Sequence, residues 1–165
     1  MAALSARTKA PDFSLSDING SKFSLQDALR RGPVVAAFFK VSCPVCQYAF
    51  PLFERLHKAL GAQKATVVGI SQDNQRDTAA FLKEYGITFR TLLDDPKTYA
   101  ASNAYGLTNV PTLFLIGQDG HIEVSSVGWA KKEVEDVNRR LAEVQKISLP
   151  QLFQRSEEVS DFRAG

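Results

Sequence analysis

The stretch FFKVSCPVCQYAFP, residues 38–51, contains both cysteines of the 165-residue chain, Cys43 and Cys46. It overlaps the apolar run VVAAFF of residues 34–39, which is typical of a strand buried on both faces of a sheet. It leads into residues 44–60, where aromatic and leucine side chains recur at helical spacing before a glycine. The two cysteines are therefore predicted to lie where a buried strand gives way to a helix.

This position suits redox chemistry. The free N–H groups and the dipole at the start of a helix favour the thiolate form of Cys43, which makes it a nucleophile. Pro44 is well tolerated in the first turn, because its missing N–H would have had no partner there. Cys46 lies one turn further along the helix, where it can attack a mixed disulfide formed at Cys43. The C-x-x-C pair is therefore predicted to be a reversible dithiol/disulfide switch.

A zinc site and a pair of inert thiols are the alternatives. Structural zinc takes about four ligands, and the chain has no second cysteine pair at finger spacing. His57 and His121 are the only histidines, and neither has another histidine or cysteine at ligand spacing. C-x-x-C beside a βαβ pattern favours the redox interpretation. We expect no metal and no cofactor.

Composition limits the possible functions. The chain has the length of one domain, and 20 basic residues against 18 acidic ones give a net charge of +2 without runs of either sign. This balance does not favour nucleic acid or an acidic membrane as a partner. No apolar stretch approaches the roughly 20 residues that span a bilayer, and the first residues do not resemble an export signal. The expected location is the cytoplasm, or the periplasm or exterior if a signal segment has been removed.

Strands and helices are predicted to alternate along residues 1–147. This order indicates an α/β fold with a mostly parallel sheet, closed by an antiparallel hairpin. Residues 148–165 form a tail, with Leu149, Leu152 and Phe153 as its anchors. The predicted elements are hairpins around residues 19–20 and over 111–128, strands at 34–39, 65–71 and 87–93, and helices at 25–31, 44–60, 74–86, 96–106 and 131–146.

With these motifs in place, the chain resembles the thioredoxin superfamily, and within it the TlpA/ResA-like proteins grouped with the AhpC/TSA family. Four stretches carry the resemblance: APDFSLSDINGSKFSL, FFKVSCPVCQYAFP, NVPTLFLI and DGHIEVSSVGW. The resemblance implies a thioredoxin-like fold, with a central mixed sheet flanked by helices and an N-terminal β-hairpin. It also implies a central αβ insertion at residues 73–93.

The resemblance also implies the rest of the site. Pro111 is expected to be cis and to face Cys43, and the backbone of Val110 is expected to bind the substrate chain. Gly128 and Trp129 are expected to flank the groove, with Trp129 partly exposed near the cysteines. The substrate-binding residues implied in this way are Pro44, Val110, Pro111, Gly128 and Trp129.

The chain departs from the family pattern around the cysteines. Ser42 stands where thioredoxin itself usually has a tryptophan before the first cysteine. Ala37 and Ala49 stand where thioredoxin and the TlpA/ResA group carry acids that help move protons at the buried cysteine. Lys40, three residues before Cys43, is a candidate modulator of the thiolate, although a strand-end lysine also commonly reaches solvent.

The leading hypothesis is a thiol–disulfide oxidoreductase that exchanges the Cys43–Cys46 pair with disulfide- or dithiol-containing proteins. A thioredoxin-type donor or glutathione would serve as reductant, and the protein would act as a monomer. One alternative is a peroxiredoxin-like thiol peroxidase, but Lys40 stands where peroxiredoxins have Thr or Ser. The other is a non-enzymatic binding module on a thioredoxin scaffold. The direction of electron flow stays open.

Overall fold

A computed structural model describes residues 2–61, 64–148 and 150–165. A five-stranded mixed sheet in the order β5-β4-β3-β6-β7 forms its centre. Strand β3 pairs in parallel with β4 and antiparallel with β6. The strands are β1 Ser14–Ser16, β2 Lys22–Ser24, β3 Val34–Phe39, β4 Thr66–Ser71, β5 Arg90–Leu93, β6 Thr112–Ile116, β7 Ile122–Val127, β8 Trp129–Ala130 and β9 Phe162–Arg163.

The helices lie on both faces of this sheet. Alternate residues of β3 point to opposite faces, so Val35, Ala37 and Phe39 belong to one apolar core and their neighbours to the other. The first core includes side chains of α2, α3 and α5, and the second includes α1, α4 and the β1–β2 hairpin. The helices are α1 Leu25–Arg31, α2 Pro44–Leu60, α3 Gln75–Tyr85, α4 Ala100–Ala104 and α5 Lys131–Gln145.

This architecture confirms the predicted thioredoxin-like α/β fold. The β1–β2 hairpin turns through residues 17–21, where Gly20 has a positive φ of 85° that glycine adopts without strain. The insertion supplies α3 and then β5, which adds to the sheet beside β4. Both predicted hairpins are present, since β6 and β7 also pair antiparallel.

One predicted helix begins later than expected. The sequence places its start at Pro96, but α4 begins at Ala100. The buried carboxylate of Asp94 accepts the N–H groups of Ala101 and Ser102, at 3.1 and 2.8 Å. Because this side chain satisfies the first free N–H groups of the helix, it fixes where the helix starts.

The tail packs against the domain. Leu152 and Phe153 are buried in the first core, which confirms their predicted anchoring role. Leu149 lies outside the described residues. Further along, β9 pairs antiparallel with β8 in a separate two-stranded sheet, and the carbonyl of Gly165 accepts a hydrogen bond from Asn109 in the loop before β6.

Candidate active site

The register of the sheet brings three segments to one edge. Phe38, near the end of β3, pairs with Thr112 at the start of β6, and Thr112 pairs in turn with Val127 at the end of β7. The loops that follow β3 and β7 and the loop that precedes β6 therefore meet there. They carry Cys43, Gly128 and Val110 respectively.

Cys43 caps the N-terminus of α2, as predicted. Its backbone is extended, with φ −82° and ψ 116°, and its sulfur accepts the N–H of Cys46 at 3.2 Å. Its carbonyl accepts the N–H of Gln47 at 3.0 Å, the first bond of the helix. The sulfur thus takes the place of a side-chain oxygen at an N-cap, where partial positive charge gathers. Pro44 follows in the first turn and is exposed.

Cys46 differs sharply from Cys43. Both are free thiols, but Cys46 is fully buried, whereas Cys43 is partly exposed. Burial raises the pKa of the Cys46 thiol far above its ordinary value, and the hydrogen bond and charge of Cys43 raise it further. The backbone N–H of Lys40 acts in the opposite direction, but more weakly. One thiol of the pair can therefore meet a partner, while the other is held neutral inside the protein.

The segment opposite Cys43 has the expected conformation. The Val110–Pro111 peptide bond is cis. The Cys43 thiol donates a hydrogen bond to the carbonyl of Val110 at 3.4 Å. The carbonyl of Val110, one of the predicted site residues, thus lies directly against the sulfur of Cys43.

Gly128 closes this side of the site. Its N–H donates to the carbonyl of Pro111 at 2.7 Å, and its φ of 76° is one that glycine adopts without strain. Next to it, Trp129 is completely buried, so the predicted partial exposure is wrong. Its ring packs against Phe53 and Phe153, and its Nε1 donates to the carbonyl of Ser160 at 2.6 Å. The tail supplies the cover that the sequence pattern did not reveal.

Lys40 lies at the end of β3 with an exposed side chain. Its carbonyl accepts the N–H of Cys43 at 3.2 Å, so its backbone helps to shape the cysteine turn. An effect of its ammonium group on the thiolate stays a prediction. Within residues 2–61, 64–148 and 150–165, no group of three or more His, Cys, Asp or Glu side chains is placed to hold a metal ion.

Asp73 is a site residue that sequence reasoning missed. Its carboxylate accepts the N–H of Val41, in the loop before Cys43, at 2.8 Å. Its negative charge also adds, as the smallest contribution, to the raised pKa of Cys46. The available signal was topological: Asp73 closely follows β4, and the ends of the neighbouring parallel strands β3 and β4 meet at the same edge.

Residues 160–165, which we call the strap, are the second missed feature. Ser160 donates its N–H to the hydroxyl of Tyr48 at 2.9 Å, and the guanidinium of Arg163 lies 3.7 Å from the centre of the Tyr48 ring. Asn109 donates its side-chain N–H to the carbonyl of Gly165 at 3.0 Å. The strap therefore spans from the first turns of α2 to the loop that carries Val110.

Known proteins are similar to this chain in sequence and in fold. Thioredoxin-like protein YneN of Bacillus subtilis is 33% identical over 132 residues, 77% of this chain and 75% of that one. Thiol-disulfide oxidoreductase ResA of Geobacillus thermodenitrificans is 27% identical over 143 residues, 86% of this chain and 79% of that one. A thiol:disulfide interchange protein of the thioredoxin family from Chlorobium tepidum superposes with a TM-score of 0.69 at 26% identity, over 84% of this chain and 99% of that one.

The family model of the AhpC/TSA family matches residues 6–125, from before the β1–β2 hairpin into β7. This span includes the cysteine turn, the cis-proline loop and the αβ insertion. It covers most of the chain and agrees with the relatives and the fold. The chain therefore belongs to the AhpC/TSA family, in its thioredoxin-like branch.

Proposed function

We propose that this protein is a thiol–disulfide oxidoreductase in which Cys43 is the nucleophile and Cys46 the resolving thiol. One observation carries the assignment: Cys43 is partly exposed at the start of α2, while Cys46 is fully buried one turn away and held neutral. The N–H of Cys46 is already bonded to the sulfur of Cys43, so the two residues are in contact. The relatives that carry this name share most of the chain.

The reaction requires two thiol–disulfide exchanges. The Cys43 thiolate attacks one sulfur of a partner's disulfide, forms a mixed disulfide and releases the other sulfur as a thiolate. Cys46 then loses its proton and attacks the sulfur of Cys43, which releases the partner's second thiol. The partner gains two electrons and two protons overall, and the protein is left with a Cys43–Cys46 disulfide. The same steps in reverse oxidise a partner dithiol.

The groove around Cys43 would hold the partner. Val110 supplies backbone next to the sulfur, and the carbonyl of Pro111, which follows it, accepts the N–H of Gly128. Pro44, which follows Cys43 in the first turn of α2, is exposed. Trp129 is buried, so its contribution would be to hold this surface in place from the interior of the protein.

Partners are proteins that contain a disulfide or a dithiol, and a thioredoxin-type donor or glutathione would restore the dithiol. We expect a monomer to suffice, because Cys43, Cys46, Val110 and Pro111 all come from one chain. No helix within the described residues is long and apolar enough to cross a membrane. A reduction potential of about −270 mV or lower would fit a reductase, in the cytoplasm or acting on exported partners, and one above about −180 mV would fit an exported oxidant.

The thiol peroxidase alternative has less support. Lys40 stands three residues before Cys43 and is exposed, where a peroxiredoxin would supply a hydroxyl. The relatives compared above carry thioredoxin-like and thiol:disulfide names. A scaffold without activity is also less favoured, because both cysteines are retained and in contact.

Trapping tests the assignment directly. The Cys46→Ser variant, mixed in reduced form with a disulfide-bonded protein such as insulin, should accumulate a mixed disulfide at Cys43, because the resolving step is lost. The matched Cys43→Ser variant should accumulate none, since the remaining thiol is buried and neutral. Mass spectrometry after acid quenching identifies the linked cysteine. Equal trapping by both variants, or by neither, would contradict the assigned roles.

A further inference from the structure

We infer that residues 162–165 of the strap cover the surface that a protein partner must contact to reach Cys43, so that a partner binds only when this segment lifts. The inference rests on the proposed function and concerns regulation of the same site. The strap would therefore distinguish two classes of substrate. Protein disulfides must contact the covered surface, whereas small disulfides must reach only the sulfur of Cys43.

Backbone pairing holds the middle of the strap. Phe162 pairs with Ala130 and Arg163 with Trp129, which makes β9 an added strand on β8. The N–H of Lys131 also donates to the carbonyl of Asp161 at 2.9 Å. Strand β9 thus already occupies the open edge of β8, next to Gly128. A bound peptide would add a strand to an open sheet edge in the same way.

Residue 165 reaches the loop that carries Val110, opposite the cysteine turn. A Cβ added to Gly165 would lie 2.5 Å from the carbonyl oxygen of Val110, so the two backbones are packed closely there. The same oxygen accepts the hydrogen bond of the Cys43 thiol at 3.4 Å. A Cβ on Gly128 would likewise lie 3.0 Å from the N of Gly165. Residue 165 therefore rests on the group that contacts the nucleophilic sulfur, and a protein docked at that group would collide with it.

The strap is anchored firmly at Ser160 and more weakly from residue 161 onwards. Ser160 is tied to Trp129 and Tyr48, and Phe153 before it is buried. From residue 161 onwards every side chain is exposed, including Phe162 at 61%. The outer half is held by the short β8–β9 pairing, the contact of Arg163 with Tyr48 and the bond from Asn109. Segments with few buried contacts open at low free-energy cost, so this half can lift while Ser160 stays in place.

Cys43 itself is not sealed by the strap. Its side chain keeps partial exposure with the strap in position. A small disulfide can therefore reach the sulfur in the closed form, whereas a folded partner requires the open fraction. The observed rate with a protein scales with that fraction, so a strap that is open about a tenth of the time slows protein exchange about tenfold.

The test compares the full chain with a variant ended after Asp161, which keeps the Ser160 anchors. Both are assayed in reduced form with insulin and with hydroxyethyl disulfide. We expect the truncation to raise the rate with insulin about tenfold and to change the rate with hydroxyethyl disulfide less than about twofold. Equal rates for the two proteins, or equal acceleration of both substrates, would overturn the strap as a cover of the docking surface.

Point variants of the full chain give a second measurement that does not depend on truncation. Arg163→Ala removes the contact with Tyr48 and should raise the rate with insulin about threefold. Arg155→Ala removes an exposed arginine of the same tail and should leave it unchanged. Equal insulin rates for both variants and the unaltered chain would count against the strap. If the full chain and the truncated protein fail to react with either disulfide, the proposed function itself fails, and the two failures are thereby distinguished.

Discussion

The two sides of the groove are built in different ways. The cysteine side comes from one continuous stretch, in which β3 ends, Cys43 caps α2 and Cys46 follows one turn later. The opposite side is assembled from Val110, Gly128 and the strap, which are far apart along the chain. The reactive group is therefore specified locally, whereas access to it is specified by long-range packing.

On the side that is assembled from distant segments, replacing Phe153, the buried anchor of the tail, should have the largest effect. Phe153→Ala should lower the free energy of unfolding by about 3–5 kcal/mol, because it leaves a cavity against the ring of Trp129. Chemical denaturation followed by Trp129 fluorescence measures this. The exposed neighbour offers a control, since Gln154→Ala should change stability by less than about 0.5 kcal/mol. A similar small effect at Phe153 would mean that the tail does not support the groove.

On the cysteine side, the two thiols should differ by about a hundredfold or more in alkylation rate at neutral pH, because burial keeps Cys46 neutral. The comparison is between Cys46→Ser, which leaves Cys43, and Cys43→Ser, which leaves Cys46. Rates with iodoacetamide, followed by mass spectrometry, measure the difference. Equal rates would remove the distinction between nucleophile and resolving thiol.

The same burial makes the stability of the reduced protein depend on pH. Folding raises the pKa of Cys46, so its contribution to stability is complete below the ordinary thiol value of about 9 and is lost as pH rises above it. Denaturation of the reduced protein between pH 7 and about pH 10 should show this loss. The Cys46→Ser variant serves as the control, and an identical pH profile would contradict the prediction.

A smaller effect links Asp73 to the cysteines. Asp73→Asn removes a negative charge that raises the pKa of Cys46, so that pKa should fall. In the Cys43→Ser background, alkylation of Cys46 should accelerate severalfold as a result. Glu84→Gln, an exposed change on α3, should leave the rate unaltered. An unchanged rate with Asp73→Asn would exclude Asp73 from the site's electrostatics.

The smallest effect should be on the pKa of Tyr48, which tests whether the strap lies against this residue. Partial burial acts to raise the pKa of Tyr48, but hydrogen bonds with Ser160 and the charge of Arg163 together hold it below its ordinary value. Arg163→Ala should therefore raise the pKa of Tyr48, as measured by absorbance titration against Arg155→Ala. A Tyr48 pKa that does not respond would indicate that Arg163 is not seated on the ring in solution.

Much of the fold followed from local patterns. The strand and helix around the cysteines were predicted with the bounds the structure shows. Residues 34–39 are a continuous apolar run, and apolar side chains recur at helical spacing through residues 44–60. The start of α4 was not, since it depends on the buried carboxylate of Asp94 satisfying backbone N–H groups of the helix. A single capping contact leaves no periodic pattern in the sequence, so the start of this helix could not be predicted from residue spacing.

The site divides in the same way. The cysteine pair was predicted from its motif and the cis-proline from the family resemblance, and the structure places Cys43 in contact with both Cys46 and the carbonyl of Val110. The burial of Trp129 was missed because its cover comes from Ser160, 31 residues further along the chain. The strap has only two residues in regular pairing and an exposed phenylalanine, so its pattern alone does not indicate a partner.

The central claim is that Cys43 and Cys46 act as one reversible redox pair. A titration against mixtures of reduced and oxidised dithiothreitol or glutathione, with acid quenching and alkylation of free thiols, tests it most directly. We expect a single two-electron transition in which both cysteines lose and regain their alkylation together, without any intermolecular species. Independent oxidation of the two cysteines, or no reversible transition, would contradict it.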